Sequence, residues 1–476
     1  MSADFHRVDE IFSAFVDAGQ APGVAYGVVG EGRLLHAGGA GVTDLGRSTR
    51  PDERSVFRIA SLTKSFTAAA VLRLRDSDAL RLDDLVADYV PELTAAPRPT
   101  ADAPPLTIRH LLTMSGGLPT DDAWADRQES MTADDFPRFL AGGIGFVSAP
   151  GTAFEYSNLG FALLGRVVTR VTGREYRDEV RTALLEPLGL GDTVFAHEDV
   201  DPERLVCGHR RTPDGWVPVP FDRPGVFSAI GGLYSTVADL ARWAAGFADA
   251  FPPRDDPEHH PLSRASRREM QQQHRAIPAI PGSAGAAVAR PLPLGYGFGL
   301  FVEEHPLAGT VVSHPGGYPG FGAHLRWSSE LGIGVIALAN GRYAPATTPA
   351  TEALEMVLSG RSRPGSEPWP ETVQACLDVE RLLVRWDDAL ADRIFADNVD
   401  LDLPREDRRR EFEAAAAAIG PATAPVTGPA AAHPTPASAS WQVHGVHASV
   451  HIDLQLTPQR PPRIQSVVLR PAASGG

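Results

Sequence analysis

Phe57-Arg58-Ile59-Ala60-Ser61-Leu62-Thr63-Lys64 decides how the chain is read. Ala68-Ala69-Ala70-Val71-Leu72 follows, apolar on most sides, and predicts a buried central helix running to about Arg75. Ser61 and Lys64 stand three residues apart at its start, so hydroxyl and amine share one face. The first turn of a helix adds free N–H groups and partial positive charge. A serine hydroxyl is a weak nucleophile until a base takes its proton. An amine can be that base only when desolvation or a neighbouring cation lowers its pKa from about 10.4. Lysine and arginine together number 44, and Lys64 is the only lysine. Arginine cannot release its proton in a protein, so this position asks for something arginine cannot do.

Two further motifs stand at segment boundaries. Tyr156-Ser157-Asn158 precedes an apolar helical stretch, Leu159 to Val171. Its phenol can be drawn toward phenolate by a nearby lysinium and act as base. Its amide can grip a substrate carbonyl or fix the lysine. His314-Pro315-Gly316-Gly317 closes a predicted strand, Gly309 to Ser313. Histidine there offers a pH-tunable cation or proton shuttle, and the glycines allow close approach of a ligand. The G-x-S-x-G and HExxH signatures are absent from the sequence.

Taken in order, Ser61-x-x-Lys64, Tyr156-x-Asn158 and His314-x-Gly316 resemble the penicillin-binding-protein and class C β-lactamase superfamily of serine acyl-transfer enzymes. Supporting stretches are Ile108-Arg-His-Leu-Leu-Thr113 with Ser115-Gly-Gly-Leu118, Glu186-Pro-Leu-Gly-Leu-Gly191, and Gly231 to Leu240. The resemblance implies an α+β fold: an antiparallel sheet flanked by helices, with a helical lobe. It makes Ser61 the acylated nucleophile, with Lys64 and Tyr156 sharing proton transfer and the base left open between them. Asn158, Gly316 and Gly317 would bind substrate, and the backbone N–H groups of Ser61 and Gly317 would form the oxyanion hole. His314 stands where many relatives carry the lysine of K-T-G, and Pro315 replaces its threonine. H-x-G variants recur among esterases, D-amino-acid-specific peptidases, some DD-peptidases and peptide cyclases.

The expected activity is therefore serine acyl-enzyme hydrolysis or transfer on an ester, thioester or amide, in particular of a D-configured amino acid or peptide, as in an esterase or D-amino-acid-specific peptidase. The alternatives are a penicillin-binding-protein-type thioesterase that cyclises a nonribosomal peptide, a β-lactamase, and a non-catalytic binding protein. The substrate would be a small molecule or peptide, or a carrier-protein-bound thioester. No cofactor or metal is expected.

The rest of the sequence sets the frame. A formal charge of −15 argues against a nucleic-acid partner. The N-terminal residues Phe5, Val8, Ile11, Phe12, Phe15 and Val16 recur at helical spacing rather than as a leader. With no membrane-length apolar run, the expected location is cytoplasmic, with no membrane partner. Cys207 and Cys376 read as buried apolar residues, and the oligomeric state is unknown.

Residues 1–360 carry the catalytic motifs. Gly23 to Val29 and Arg33 to His36 predict a hairpin, and four late strands, Tyr296–Val302, Gly309–Ser313, Ala323–Trp327 and Gly332–Leu338, must complete its sheet. Phe251 to Pro293 reads as a surface excursion with one helix. Residues 361–370 read as a linker, and 371–476 as a small α+β accessory domain. Within it, Val379–Phe395 and Arg405–Ile419 are predicted helices, Gly420–Ser440 a loop, and Val446–Leu456 and Arg463–Leu469 strands. His447 and His451 share a strand face and read as solvated rather than metal-binding.

Overall fold

The computed structural model describes residues 5–95, 98–278, 294–306, 308–359, 361, 367–421 and 432–471. The chain forms two compact units, Met1–Arg363 and Pro364–Gly476.

In the first unit, the elements that position the site are α1 (His6–Asp17), β1 (Gly23–Gly30), β2 (Arg33–Gly41), α2 (Thr63–Asp76), α3 (Asn158–Thr172) and α4 (Val237–Ala248). They are followed by β3 (Arg275–Ala276), β4 (Leu294–Tyr296), β5 (Phe301–His305), β6 (Gly309–Tyr318), β7 (Phe321–Ser328), β8 (Ile333–Ala339) and α5 (Thr347–Leu358). The eight strands form one antiparallel sheet in the order β2-β1-β8-β7-β6-β5-β4-β3. The late strands do complete the early hairpin, with Val24 opposite Ala339 and Val29 opposite Gly334.

Strand β1 is buried along its whole length, and its alternation divides two cores. Val24, Tyr26 and Val28 join the core made with α1 and α5, whereas Ala25 and Val29 join the larger core of the helical lobe. Gly27 lets α4 close on the sheet, because a Cβ there would lie 2.6 Å from Val237 Cγ1. Helix α2 runs through the larger core, buried from Thr63 to Leu72. Phe66 stacks on Trp243 of α4 at 3.9 Å, and the Trp243 indole N–H donates to Ser65 Oγ.

Three expectations change here. The predicted strand Tyr296–Val302 is two strands, β4 and β5, joined by a turn at Gly297–Leu300. Strand β6 does not end before the His-Pro-Gly-Gly motif but runs through it to Tyr318. The excursion after Phe251 is not all solvated: Arg267 is buried, with its guanidinium 2.6 Å from Glu258, and Arg275–Ala276 supplies the sheet's edge strand. Within the excursion, residues 279–293 lie outside those described. Cys207 is half-buried, while Cys376 is buried as expected.

The second unit packs Pro370–Val384 and Arg405–Ile419 on an antiparallel sheet of Ser438–His444, Ser449–Leu456 and Ile464–Pro471. Cys376, Val379, Phe412, Trp441, Ile452 and Ile464 share its core. The first helix starts at Pro370, where a proline suits the first turn. It breaks after Val384, and Asp387 caps a new helix, Asp388–Ile394. Val446 lies in a turn rather than a strand, and Ser438–His444 was not expected as a strand. Of the predicted loop, residues 422–431 lie outside those described. His451 bonds Ser440 Oγ and Asp453, and no group of three or more metal-ligating side chains occurs among the described residues. No described helix is long and apolar enough to cross a membrane.

A buried ion pair anchors the chain entering the Ser61 turn. Arg58 and Glu129 are 2% and 3% exposed and meet at 3.0 Å. Arg58 also donates to Gly231 O and lies over the Tyr318 ring, 3.7 Å from its centroid. Glu129 accepts from Ser228 Oγ at 2.6 Å. Removing one member strands the other charge in the core. Glu129→Ala is expected to lose about 3–5 kcal/mol in urea unfolding. A loss under about 1 kcal/mol would show that the pair is not an anchor.

Candidate active site

The strand pair Phe57–Arg58 with Tyr234–Ser235 carries the chain to a 3-10 turn, Ala60–Leu62, which leads into α2. Ala60 holds φ +49°, a left-handed conformation costing a non-glycine residue about 1–2 kcal/mol. The fold holds it there from both sides: Ile59 N–H donates to Leu233 O at 3.0 Å, and Ala60 is buried. Ser61 stays partly exposed while Lys64 behind it is fully buried.

Lys64 Nζ reaches Ser61 Oγ at 3.0 Å, Asn158 Oδ1 at 2.6 Å and Ile230 O at 2.9 Å. These use all three N–H groups of an ammonium; on losing a proton the amine can turn its lone pair to Ser61. Burial pushes the Lys64 pKa down to about 8, opposed by the carboxylates of Asp122, Asp126 and Asp121. Desolvation thus brings the free amine within reach near neutral pH.

Tyr156 does not follow the expected shift toward phenolate. Burial raises its pKa well above 10, Tyr296 and Asp122 add to the rise, and a hydrogen bond with Ser61 works against it. Lys64 Nζ sits 5.1 Å from the centroid of the Tyr156 ring. The resting phenol is therefore a neutral O–H group. Phe301 stacks on it at 6.2 Å, and Tyr296 meets it edge-on at 6.4 Å.

His314 is not a cation at rest either. Burial, with Lys64 adding to it, lowers its pKa to about 3. Nδ1 lies 2.6 Å from Pro315 O and Nε2 lies 3.2 Å from Tyr296 OH. These partners assign the proton to Nδ1, leaving Nε2 to accept from the tyrosine. Strand β5 pairs with β6 only as far as Ser313, so beyond it one edge of β6 is open. Pro315, with no N–H to give, is tolerated on that edge, and backbone alternation turns the Gly317 N–H the same way. Gly316 lies against the Ser61 turn: a Cβ there would be 2.6 Å from Ile59 O and 3.0 Å from Leu62 Cδ1.

Asn158 is buried at the start of α3, between the lysine and an acidic loop that the sequence motifs did not point to. Its Nδ2 donates to Asp122 Oδ1 at 2.7 Å. Asp121 accepts from Asn158 N at 2.7 Å and Leu159 N at 2.9 Å, pinning the loop to the helix start. Asp126 is buried, accepts from Tyr343 OH at 2.9 Å, and is raised to about 6 by desolvation. The only signal for these acids was their place just after Ser115-Gly-Gly-Leu118. An apolar cavity of about 280 Å³ lined by Leu85, Val86, Leu93, Leu106, Ile144 and Phe146 includes none of the five motif residues.

The family model described as Beta-lactamase matches residues 8–357. The chain is 25% identical over 352 residues to Protein flp of Staphylococcus aureus (strain COL), covering 71% of this chain and 64% of that protein. It thus spans a little under two thirds of the length of that curated relative. It is 26% identical over 309 residues to the D-alanyl-D-alanine-carboxypeptidase/endopeptidase AmpH of Escherichia coli (strain K12), covering 63% of this chain and 74% of that protein. An octameric penicillin-binding protein homologue from Pyrococcus abyssi has the same fold, with a TM-score of 0.64 at 21% identity over 96% of this chain and 97% of that chain.

Proposed function

The chain belongs to the Beta-lactamase family, and from that premise we propose that its first unit is a serine acyl-enzyme hydrolase or acyltransferase with Ser61 as nucleophile. The observation that carries the reading is the buried Lys64 amine set 3.0 Å from a partly exposed Ser61 Oγ. The free amine of Lys64 takes the Oγ proton as oxygen attacks the acyl carbon. The N–H groups of Ser61 and Gly317 hold the oxyanion, where losing one donor costs ~2.7–4 kcal/mol. Tyr156, neutral at rest, passes the proton from the lysinium to the leaving group. Water or a substrate amine then releases the acyl group.

The substrate in this reading is an ester, thioester or amide of a D-configured amino acid or peptide. Support comes from the D-alanyl-D-alanine activity in the name of the Escherichia coli relative. Neutral His314 and hydroxyl-free Pro315 give a β-lactam carboxylate no charged partner, which speaks against a β-lactamase. In this reading the enzyme works in the cytoplasm. A second reading is a penicillin-binding-protein-type thioesterase cyclising a peptide delivered as a carrier-protein thioester. The half-buried aromatic wall of Phe154, Tyr156 and Phe301 favours it, as a surface that could shield a peptidyl-enzyme from water.

The test is to treat the protein with a fluorophosphonate probe, then separately with a peptidyl thioester mimic ending in a D-residue. An adduct on Ser61 is expected, and its absence would overturn the enzyme reading in favour of a binding protein. Product masses separate the two versions: a linear acid means hydrolysis, a cyclic peptide means transfer.

A further inference from the structure

We propose that Asp122 is a positioning residue for acylation: it holds Asn158, and through Asn158 the Lys64 amine, in line with Ser61. The inference rests on the reading of Ser61 and Lys64 as nucleophile and base.

Asp122 Oδ1, Asn158 Nδ2, Asn158 Oδ1, Lys64 Nζ and Ser61 Oγ form one continuous path, with contacts of 2.7, 2.6 and 3.0 Å. A primary amide fits its pocket in two orientations with oxygen and nitrogen exchanged. Only one places an acceptor on Lys64; the other sets N–H against N–H. A carboxylate accepts and cannot donate, so Asp122 selects the orientation that holds the lysine. Without it, nothing in the Lys64 contact stops the amide turning once the amine has lost a proton and can itself accept.

Asp122 is also delivered there by construction. The neighbouring Asp121 is committed to the two N–H groups at the start of α3, which fixes the loop against the helix. Asp122 is exposed, so it forms no part of a core, and the bond to the buried Asn158 amide is the single described hydrogen bond of its side chain.

Charge gives the proposal a signature that a structural contact lacks. The groups facing Lys64 are Asp121, Asp122 and Asp126 from the acidic loop, neutral His314 from β6, and the Tyr156 phenol before α3. Asp122 leads the carboxylates that favour the ammonium form. Removing its charge makes the free amine available at lower pH, although the amine is then less well aimed.

The experiment measures the rate of fluorophosphonate labelling at Ser61 from pH 6 to 10 for the wild type, Asp122→Asn and Asp122→Ala. Asp122→Asn keeps the shape and an acceptor oxygen while removing the charge. The acid limb of its profile is expected to move down by about half a unit to one unit. Its plateau should fall only a few-fold. Asp122→Ala should show the same shift with a plateau about 10–100-fold lower, the scale of a misplaced catalytic group. An unmoved limb in both variants overturns the proposal, and so does a moved limb with an Asp122→Ala plateau at the wild-type level, which would leave Asp122 a nearby charge and not a positioning residue. If Asp122→Ala fails to fold, the near-isosteric Asp122→Asn decides alone by the same limb. Failure of the underlying reading is distinct, since the wild type itself would then not label at Ser61.

Discussion

Lys64→Arg should keep the positive charge and lose about 10²–10⁴-fold in the rate of Ser61 acylation, the range a general base supplies. The loss follows from protonation, not charge. Guanidinium stays protonated at every working pH, whereas desolvation brings the lysine to about 8. Geometry adds to the loss. Three acceptors surround one nitrogen at 2.6–3.0 Å, an arrangement that a compact ammonium satisfies and a planar fork does not. The longer side chain enters a fully buried site, so about 1–3 kcal/mol of stability should go as well. Labelling kinetics beside a thermal melt separate the two effects. A folded Lys64→Arg protein that labels near the wild-type rate would leave Lys64 as an electrostatic support only.

Gly316→Ala is expected to be nearly as damaging, for a steric reason. The new methyl would stand 2.6 Å from Ile59 O, a backbone atom of the turn carrying Ser61. It would also stand 3.1 Å from Ala323 Cβ on the paired strand. Neither neighbour is the end of a flexible side chain, so strand and turn must part. The Gly317 N–H then moves off the place where an oxyanion would form, at a cost of about 10²–10³-fold in rate. The neighbouring Gly317→Ala supplies the contrast. Its methyl meets Tyr343 Cδ1 at 2.8 Å, a half-exposed ring that can turn aside. Ester turnover with each variant checks the pair. Wild-type turnover by Gly316→Ala would remove the His314–Gly317 segment from the site.

The first unit was legible because its signals are local. Apolar runs marked β1 and β8, short turns marked β7 between its neighbours, and the helix after Ser61 announced itself by Ala68–Leu72. Ser61, Lys64 and Asn158 were named by spacing, and the fold sets them within hydrogen-bond reach of one another. What stayed hidden depends on contacts distant in sequence. Asp121 and Asp122 sit in a loop whose only meaning comes from touching Asn158. Ile230 contributes a carbonyl, which no side-chain pattern records. Proline and glycine made Pro315–Gly317 read as the end of a strand. On an edge that no neighbour pairs, however, a missing N–H costs nothing, and the strand continues. Protonation was the least legible property. Tyr156 and His314 belong to the site by position, but only burial reveals that both are neutral at rest.

The central claim is that the buried Lys64 amine activates Ser61. It is tested most directly by the pH dependence of single-turnover acylation of Ser61 by an activated ester, with the adduct located by peptide mass. The rate should rise with pH through about 8 and then level off, as ammonium gives way to free amine. A rate that stays flat across that range, or climbs only above pH 10 with the Tyr156 phenol, would contradict it.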